Sequence, residues 1–113
     1  MTDIEELLAR LEELDPDTYM EWNDLFKEIY DISYGPLEWD TFRGAESLLQ
    51  GVIQNAIAAN DFIGFEIIYT SYFDVKYEAE IFWDQTGEFL RGFGETAAEA
   101  ILAAYVAALE AGR

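Results

Sequence analysis

The sequence predicts an α+β fold in which helices pack on a three-stranded antiparallel meander, in the order ααα-βββ-α with a helical N-terminal flank. Three observations predict it: apolar residues recur at helical spacing in the first half, period-2 alternation follows, and an alanine-rich segment closes the chain. At 113 residues we expect one domain over 1–113. It comprises an acidic helical hairpin at 1–32 and an α-βββ-α core at 37–111.

The first two helices make up the predicted hairpin. Apolar residues recur at helical spacing from Ile4 to Leu14, which gives the first helix one apolar stripe. Asp15 suits the N-cap of the second helix, and Pro16 suits its first position because the missing N–H costs nothing there. This helix runs to about Asp31, with an apolar stripe formed by Tyr19, Trp22, Phe26 and Ile29. Three further apolar residues widen its surface: Met20, Leu25 and Tyr30. This wider surface indicates either burial between two layers or an exposed partner-binding patch, and we expect burial because large exposed patches are rare on monomers.

The third helix follows the break at residues 33–36, which contains Gly35-Pro36. Asp40 or Thr41 caps it, and it runs to about Ala59. Gly51 weakens it locally, by roughly 1 kcal/mol relative to alanine, and suggests a close packing contact.

Three strands come next, over Phe62–Tyr72, Val75–Trp83 and Glu88–Phe93. Every second residue of the middle strand is apolar, so one face of the sheet is predicted to be buried, with Trp83 in the core. In the first strand the apolar face holds Ile63, Phe65, Ile67 and Tyr69. The polar face of the sheet carries Glu66, Thr70, Lys76, Glu78, Glu80 and Arg91.

The last helix is predicted over Ala97–Ala111. Thr96 and Glu99 have capping-box spacing, in which the hydroxyl accepts from the amide three residues on. The alanines allow this helix to lie close to its neighbours.

Three segments together resemble the phage ABA sandwich domain family, small proteins coded by tailed phages and prophages. They are Ile4–Glu12 in the opening helix, Gly44–Leu49 ahead of the hairpin, and the closing Thr96–Leu109. The chain lacks the proline and tryptophan turn that usually follows the middle helix in that family. The resemblance implies a phage or prophage accessory protein that acts in the bacterial cytoplasm, and it transfers no site residues.

The composition argues against several kinds of chemistry. The chain has no histidine and no cysteine, which removes Ser-His-Asp and Cys-His nucleophiles and His/Cys zinc sites. No glycine-rich phosphate loop is present. We therefore expect a non-enzymatic protein without a cofactor or a metal centre. No apolar run approaches the roughly 20 residues that span a bilayer, and no signal peptide is evident.

The charge is the strongest functional indication. The chain has 24 acidic and 6 basic residues, a net charge of −18, and residues 1–40 hold 13 acidic and two basic residues, a net −11. Such a protein repels nucleic acid and anionic membranes and attracts basic surfaces. We predict a nucleic-acid mimic that binds a basic DNA- or RNA-binding host protein, as an anti-CRISPR or anti-restriction inhibitor would. The predicted contact residues are Asp3, Glu6, Glu13, Asp17, Glu21, Asp24, Glu28, Asp31 and the connector residue Trp39.

Three alternatives stay open. The charge can serve solubility alone. The chain can be a sponge for a cyclic-nucleotide defence signal, with Arg43 and Arg91 as phosphate ligands and a homo-oligomer bringing the few cations together. It can also be a minor phage structural or assembly protein that binds a basic partner.

Overall fold

A computed structural model of the chain describes residues 4–33, 46–60, 62, 64–69, 76–83 and 88–112, with side chains for all of these except 26–33 and 46–47. The elements are α1 (Ile4–Leu14), α2 (Pro16–Ser33), α3 (Glu46–Ala59), β1 (Gly64–Tyr69), β2 (Tyr77–Phe82), β3 (Phe89–Gly94) and α4 (Ala97–Glu110). The fold class is the predicted α+β meander, with helices before the strands and one helix after them. The predicted start of α3 lies outside the described residues.

The sheet has the order β1-β2-β3, and both pairs are antiparallel. Residues that lie opposite each other share a face, so the register assigns the two faces. Ile67 is opposite Ala79, which is opposite Gly92, and these lie on the inner face towards the helices. The outer face holds four residues of the predicted polar face, Glu66, Glu78, Glu80 and Arg91, but also Ile68, Phe82, Phe89 and Phe93.

Helix α4 is the centre of the core. Eight of its residues are buried, and it packs against β3, β2, α3 and α1. Thr96 caps it as predicted, because its hydroxyl accepts a hydrogen bond from the Glu99 amide at 3.2 Å. The close approach of α4 to the sheet occurs at two glycines of β3. A Cβ on Gly92 would collide with the backbone of α4, at the Ala104 nitrogen and 2.6 Å from the Ala100 oxygen, and Gly94 is similarly crowded.

The helical hairpin adds a second part of the core. Leu7, Leu8 and Leu11 of α1 are buried together with Trp22 of α2. Helix α1 packs against α2 and α4, and α2 packs against α3. The apolar stripe of α1 therefore faces the core, as do Tyr19 and Trp22 of the apolar stripe predicted for α2, whereas the side chains of Phe26 and Ile29 lie outside the described part.

Two residues of β1 that are predicted to lie on the buried apolar face, Phe65 and Tyr69, are exposed. Phe65 and Tyr69 lie on the inner face of the sheet but are 37 % and 64 % exposed. Helix α4 lies mainly over β3 and β2, so the inner face of β1 extends beyond most of the helical layer. Trp83, predicted to lie in the core, is partly buried and packs against it. Ile63 and Thr70 lie outside the described residues.

Among the described residues, no helix combines the length and apolarity that a membrane crossing requires.

Candidate partner-binding surface

Helix α2 carries a row of carboxylates on its solvent side. Asp17, Glu21 and Asp24 are all exposed, and their spacing of four and three residues puts them on one helical face. We call these three residues the α2 stripe. Trp22 and Thr18 are buried, so the stripe points away from the core. With a rise of 1.5 Å per residue, its carboxylates are about 5 Å apart along the axis.

An exposed methionine lies within the α2 stripe. Met20 is three residues from Asp17 and four from Asp24, and it is 49 % exposed. Residues at these spacings are neighbours on a helix surface. The expected burial of Met20 is therefore wrong, because the core contacts of α2 are made from its other side by Trp22 and Leu25. The stripe thus combines charge with one flexible apolar side chain. Such a combination is suited to contact with the surface of another protein.

A hydrogen-bond network connects the start of α2 to the core. The Asp15 carboxylate caps α2 by accepting from the Thr18 amide at 3.3 Å and from the Thr18 hydroxyl at 2.6 Å. The buried Tyr105 of α4 donates its hydroxyl to the same carboxylate at 2.5 Å. Asn60, after α3, donates to the Tyr105 hydroxyl at 3.3 Å. One carboxylate therefore joins α2 to α4, and Tyr105 extends the connection to the end of α3.

The network also sets the ionisation of its members. Burial alone raises the pKa of Asp15, but the hydrogen bonds from Thr18 and Tyr105 favour the carboxylate, and the pKa lies below its ordinary value. Burial and the adjacent Asp15 carboxylate raise the pKa of the Tyr105 hydroxyl. Asp15 is therefore charged and Tyr105 neutral at pH 7, which matches the donor and acceptor roles that the geometry requires.

The acidic residues of α1 form a less continuous surface. Glu6 and Glu13 are exposed, but Arg10 lies between them and pairs with Glu13 and, at 3.0 Å, with Glu110 of α4. The α1 acids are therefore interrupted by a cation, whereas no Lys or Arg lies between Asp17 and Asp24 of the α2 stripe; Lys27 follows three residues after Asp24, in the part of α2 without described side chains.

The structure does not test the remaining predicted contact residues. Asp3 and Trp39 lie outside the described residues, and Glu28 and Asp31 belong to the part of α2 without described side chains. Both acids continue the stripe's spacing in the sequence. The hydrogen bond between Asp15 and Tyr105 could not be predicted from local sequence patterns, because the two residues are 90 positions apart in the chain.

The sponge alternative depends on two arginines, Arg43 and Arg91. Arg43 lies outside the described residues. Arg91, on the outer face of the sheet, pairs with Glu78 and, at 3.2 Å, with Glu80, and its guanidinium carbon lies 5.2 Å from the centre of the Phe89 ring. Arg91 and Arg10 both line a cleft of about 450 Å³ between α1, α4 and β3. Each of these guanidiniums is already held by two carboxylates.

The described residues contain no group of three acidic side chains placed to hold a metal ion. No family model, curated protein or solved structure shows a significant match to the chain. The resemblance to the phage ABA sandwich family consequently remains a prediction.

Proposed function

We propose that this chain is a non-enzymatic, phage-type inhibitor of a bacterial defence system that mimics nucleic acid and binds a basic DNA- or RNA-binding protein. The observation that carries the proposal is the α2 stripe. Its three carboxylates are exposed, and none of them has a salt-bridge partner within the described part of the chain. Their negative charge is therefore available to a basic partner.

The spacing of the stripe supports mimicry of a nucleic-acid strand. One DNA strand presents a negative charge about every 3.4 Å along the axis. The α2 stripe presents one about every 5 Å. In the sequence, Glu28 and Asp31 extend the acidic pattern to roughly 21 Å along the helix, with one cation, Lys27, between Asp24 and Glu28. A groove lined with Lys and Arg for phosphates can accept such a row, because charge-assisted hydrogen bonds to carboxylates and phosphates have similar geometry.

The environment of the arginines favours mimicry over the sponge. A phosphate ligand needs free cationic donors. Arg10 and Arg91 each pair with two carboxylates, so an anion in their cleft would have to displace acidic side chains and would then face their repulsion.

The test is inhibition of DNA cleavage by purified CRISPR effectors and restriction endonucleases. The triple variant Asp17→Asn, Glu21→Gln, Asp24→Asn removes the stripe. The matched control Glu66→Gln, Glu88→Gln, Glu95→Gln removes three exposed carboxylates elsewhere and changes the net charge equally. We expect inhibition to fall steeply with salt, as for DNA itself, and to be lost only in the stripe variant.

Equal loss in both variants would mean that net charge alone is responsible. Absence of inhibition by the unmodified chain against every enzyme in the panel would contradict the proposal. Retention of a bound cyclic nucleotide by the purified chain, lost in Arg91→Ala, would favour the sponge instead.

A further inference from the structure

Strand β3 is an edge strand of the sheet in the part of the chain that the structure describes. Among the described strands it pairs only with β2, so half of its backbone N–H and C=O groups point away from the sheet. Its sequence, Phe-Leu-Arg-Gly-Phe-Gly, contains no proline and no lysine, the residues that commonly block such edges. Its charged residue Arg91 is held by Glu78 and Glu80. Phe89 and Phe93 are both exposed.

The cleft of about 450 Å³ adjoins this strand. Arg91, Gly92 and Phe93 form one side, and Glu6, Leu7 and Arg10 of α1 contribute to its lining. The α4 residues in the lining include Ala103, Val106 and Ala107, which together with Leu7 give an apolar floor. An added strand lies about 4.8 Å from its neighbour and directs alternate side chains to opposite faces. Every second side chain of a strand paired with β3 would therefore face this floor.

The surrounding charge indicates what kind of chain fits. Four carboxylates pair with the two guanidiniums of the cleft, those of Glu13, Glu78, Glu80 and Glu110, and a fifth acidic residue, Glu6, lines the cleft. The local charge is therefore negative despite the two arginines. A second copy of this chain would bring another −18, which opposes pairing of β3 with itself.

We propose that β3 and the adjoining cleft bind an extended basic segment of a partner protein by strand addition. The segment pairs its backbone with β3, places apolar side chains over the α4 floor at alternate positions, and carries Lys or Arg at the others. Backbone pairing supplies the affinity and the alternate side chains supply the specificity. This site is separate from the α2 stripe and does not depend on mimicry.

The test uses a fluorescently labelled, end-blocked hexapeptide of alternating lysine and valine, which matches the six residues of β3 in length. We expect saturable binding that shifts the NMR amide signals of β3 and of the α1 residues at the cleft. A glutamate–valine peptide should not bind. A lysine–valine peptide that is N-methylated at its two central residues, which blocks hydrogen bonding on both of its edges, should also fail to bind.

The matched protein variants are Glu6→Lys and Glu5→Lys. Both residues are exposed neighbours on α1, but Glu6 lines the cleft and Glu5 does not. We expect Glu6→Lys to weaken peptide binding about threefold to tenfold and Glu5→Lys to change it less than about twofold. The α2-stripe variant should bind the peptide almost normally, so failure of mimicry and failure of strand addition can be told apart.

Several results would overturn this inference. Equal binding of the N-methylated peptide would exclude strand pairing, and equal effects of the two lysine variants would place the peptide elsewhere. No detectable binding at millimolar peptide would also contradict it. Sedimentation showing a dimer that Phe93→Lys dissociates would assign the β3 edge to a second copy.

Discussion

The two ends of the chain contact α4 in different ways. At the C-terminal end, β3 and α4 meet backbone to backbone, with Gly92 and Gly94 leaving no space for a side chain. At the N-terminal end, the α1–α2 hairpin meets α4 through apolar side chains, through the polar network at Asp15 and through the ion pair of Arg10 with Glu110. The β3–α4 contact depends on steric fit. The contact between the hairpin and α4 includes charged side chains whose partners can be removed one at a time by mutation.

This difference separates two roles in the molecule. The β3–α4 contact cannot be altered without moving a helix, and it holds the sheet to the core. The hairpin is attached by separable contacts and carries the exposed acids of the α2 stripe on its outer side. Mutations in the two regions should therefore differ both in size and in what they affect.

The largest effect is expected from Gly92→Ala. The new methyl group would meet the backbone of α4 at Ala100 and Ala104, which cannot yield by a simple change of rotamer. We expect a loss of about 3 kcal/mol in the free energy of unfolding, at the upper end of ordinary overpacking costs. Urea denaturation followed by circular dichroism measures it.

Gly51→Ala is the matched control. A Cβ at Gly51 would meet nothing within 4 Å, and the residue lies inside α3. The same substitution should therefore stabilise the protein by about 1 kcal/mol through helix propensity. Destabilisation by both variants would contradict the contrast between the two glycines.

The next largest effect is expected from Asp15→Ala. The substitution removes the N-cap of α2, worth about 1 kcal/mol, and leaves the buried Tyr105 hydroxyl without its acceptor. We expect a total loss of about 2–3 kcal/mol, with the signals of α2 and of the Tyr105 ring changing most in NMR spectra. A loss below about 0.5 kcal/mol would show that the hairpin does not depend on this carboxylate.

The Asp15 carboxylate should also make stability depend on pH. Its folded pKa lies below the unfolded value of about 3.9, so its contribution is complete above that value. The contribution is lost as the pH falls through the folded pKa. The stability difference between the unmodified chain and Asp15→Asn should therefore be largest near neutral pH and should shrink in acid. A constant difference from pH 7 to pH 2 would contradict the direction of the shift.

The sequence predicted the parts of the fold that depend on local pattern. Helical spacing in α1, alternation in β2 and the Thr96 cap all follow from neighbouring residues, and the structure contains them. Pattern alone placed the close packing at Gly51, whereas the structure has it at Gly92, because only the three-dimensional arrangement shows which glycine faces a helix.

The candidate site was predictable only in part. The exposed acids of α2 follow from amphipathic spacing, so Asp17, Glu21 and Asp24 could be found in advance. The exposure of Met20 could not, because it depends on which side of a broadly apolar helix meets α1 and α3. The Asp15–Tyr105 bond and the cleft beside β3 join distant segments, and no local pattern indicates them.

A smaller effect is expected from Tyr105→Phe. This change removes one hydroxyl but keeps the ring packed in the core and leaves Asp15 bonded to Thr18. Asn60 retains its 2.7 Å hydrogen bond to the Ala56 carbonyl. We expect a loss of about 1 kcal/mol in the free energy of unfolding, which is the usual net value of one hydrogen bond. A loss as large as that of Asp15→Ala would show that the N-cap contributes little.

The smallest effect on stability is expected from neutralising the α2 stripe with Asp17→Asn, Glu21→Gln and Asp24→Asn. Asp17 lies in the first turn, where its charge interacts favourably with the helix dipole, so its loss is slightly destabilising. Glu21 repels Asp17 and Asp24 at spacings of four and three residues, so removing these charges is slightly stabilising. The two contributions oppose each other, and the free energy of unfolding should change by less than about 0.5 kcal/mol. The midpoint of urea denaturation, measured at low and at high salt, tests this. A loss above about 1 kcal/mol would mean that the stripe supports the fold, whereas an unchanged midpoint with loss of inhibition would mean that these carboxylates act on a partner.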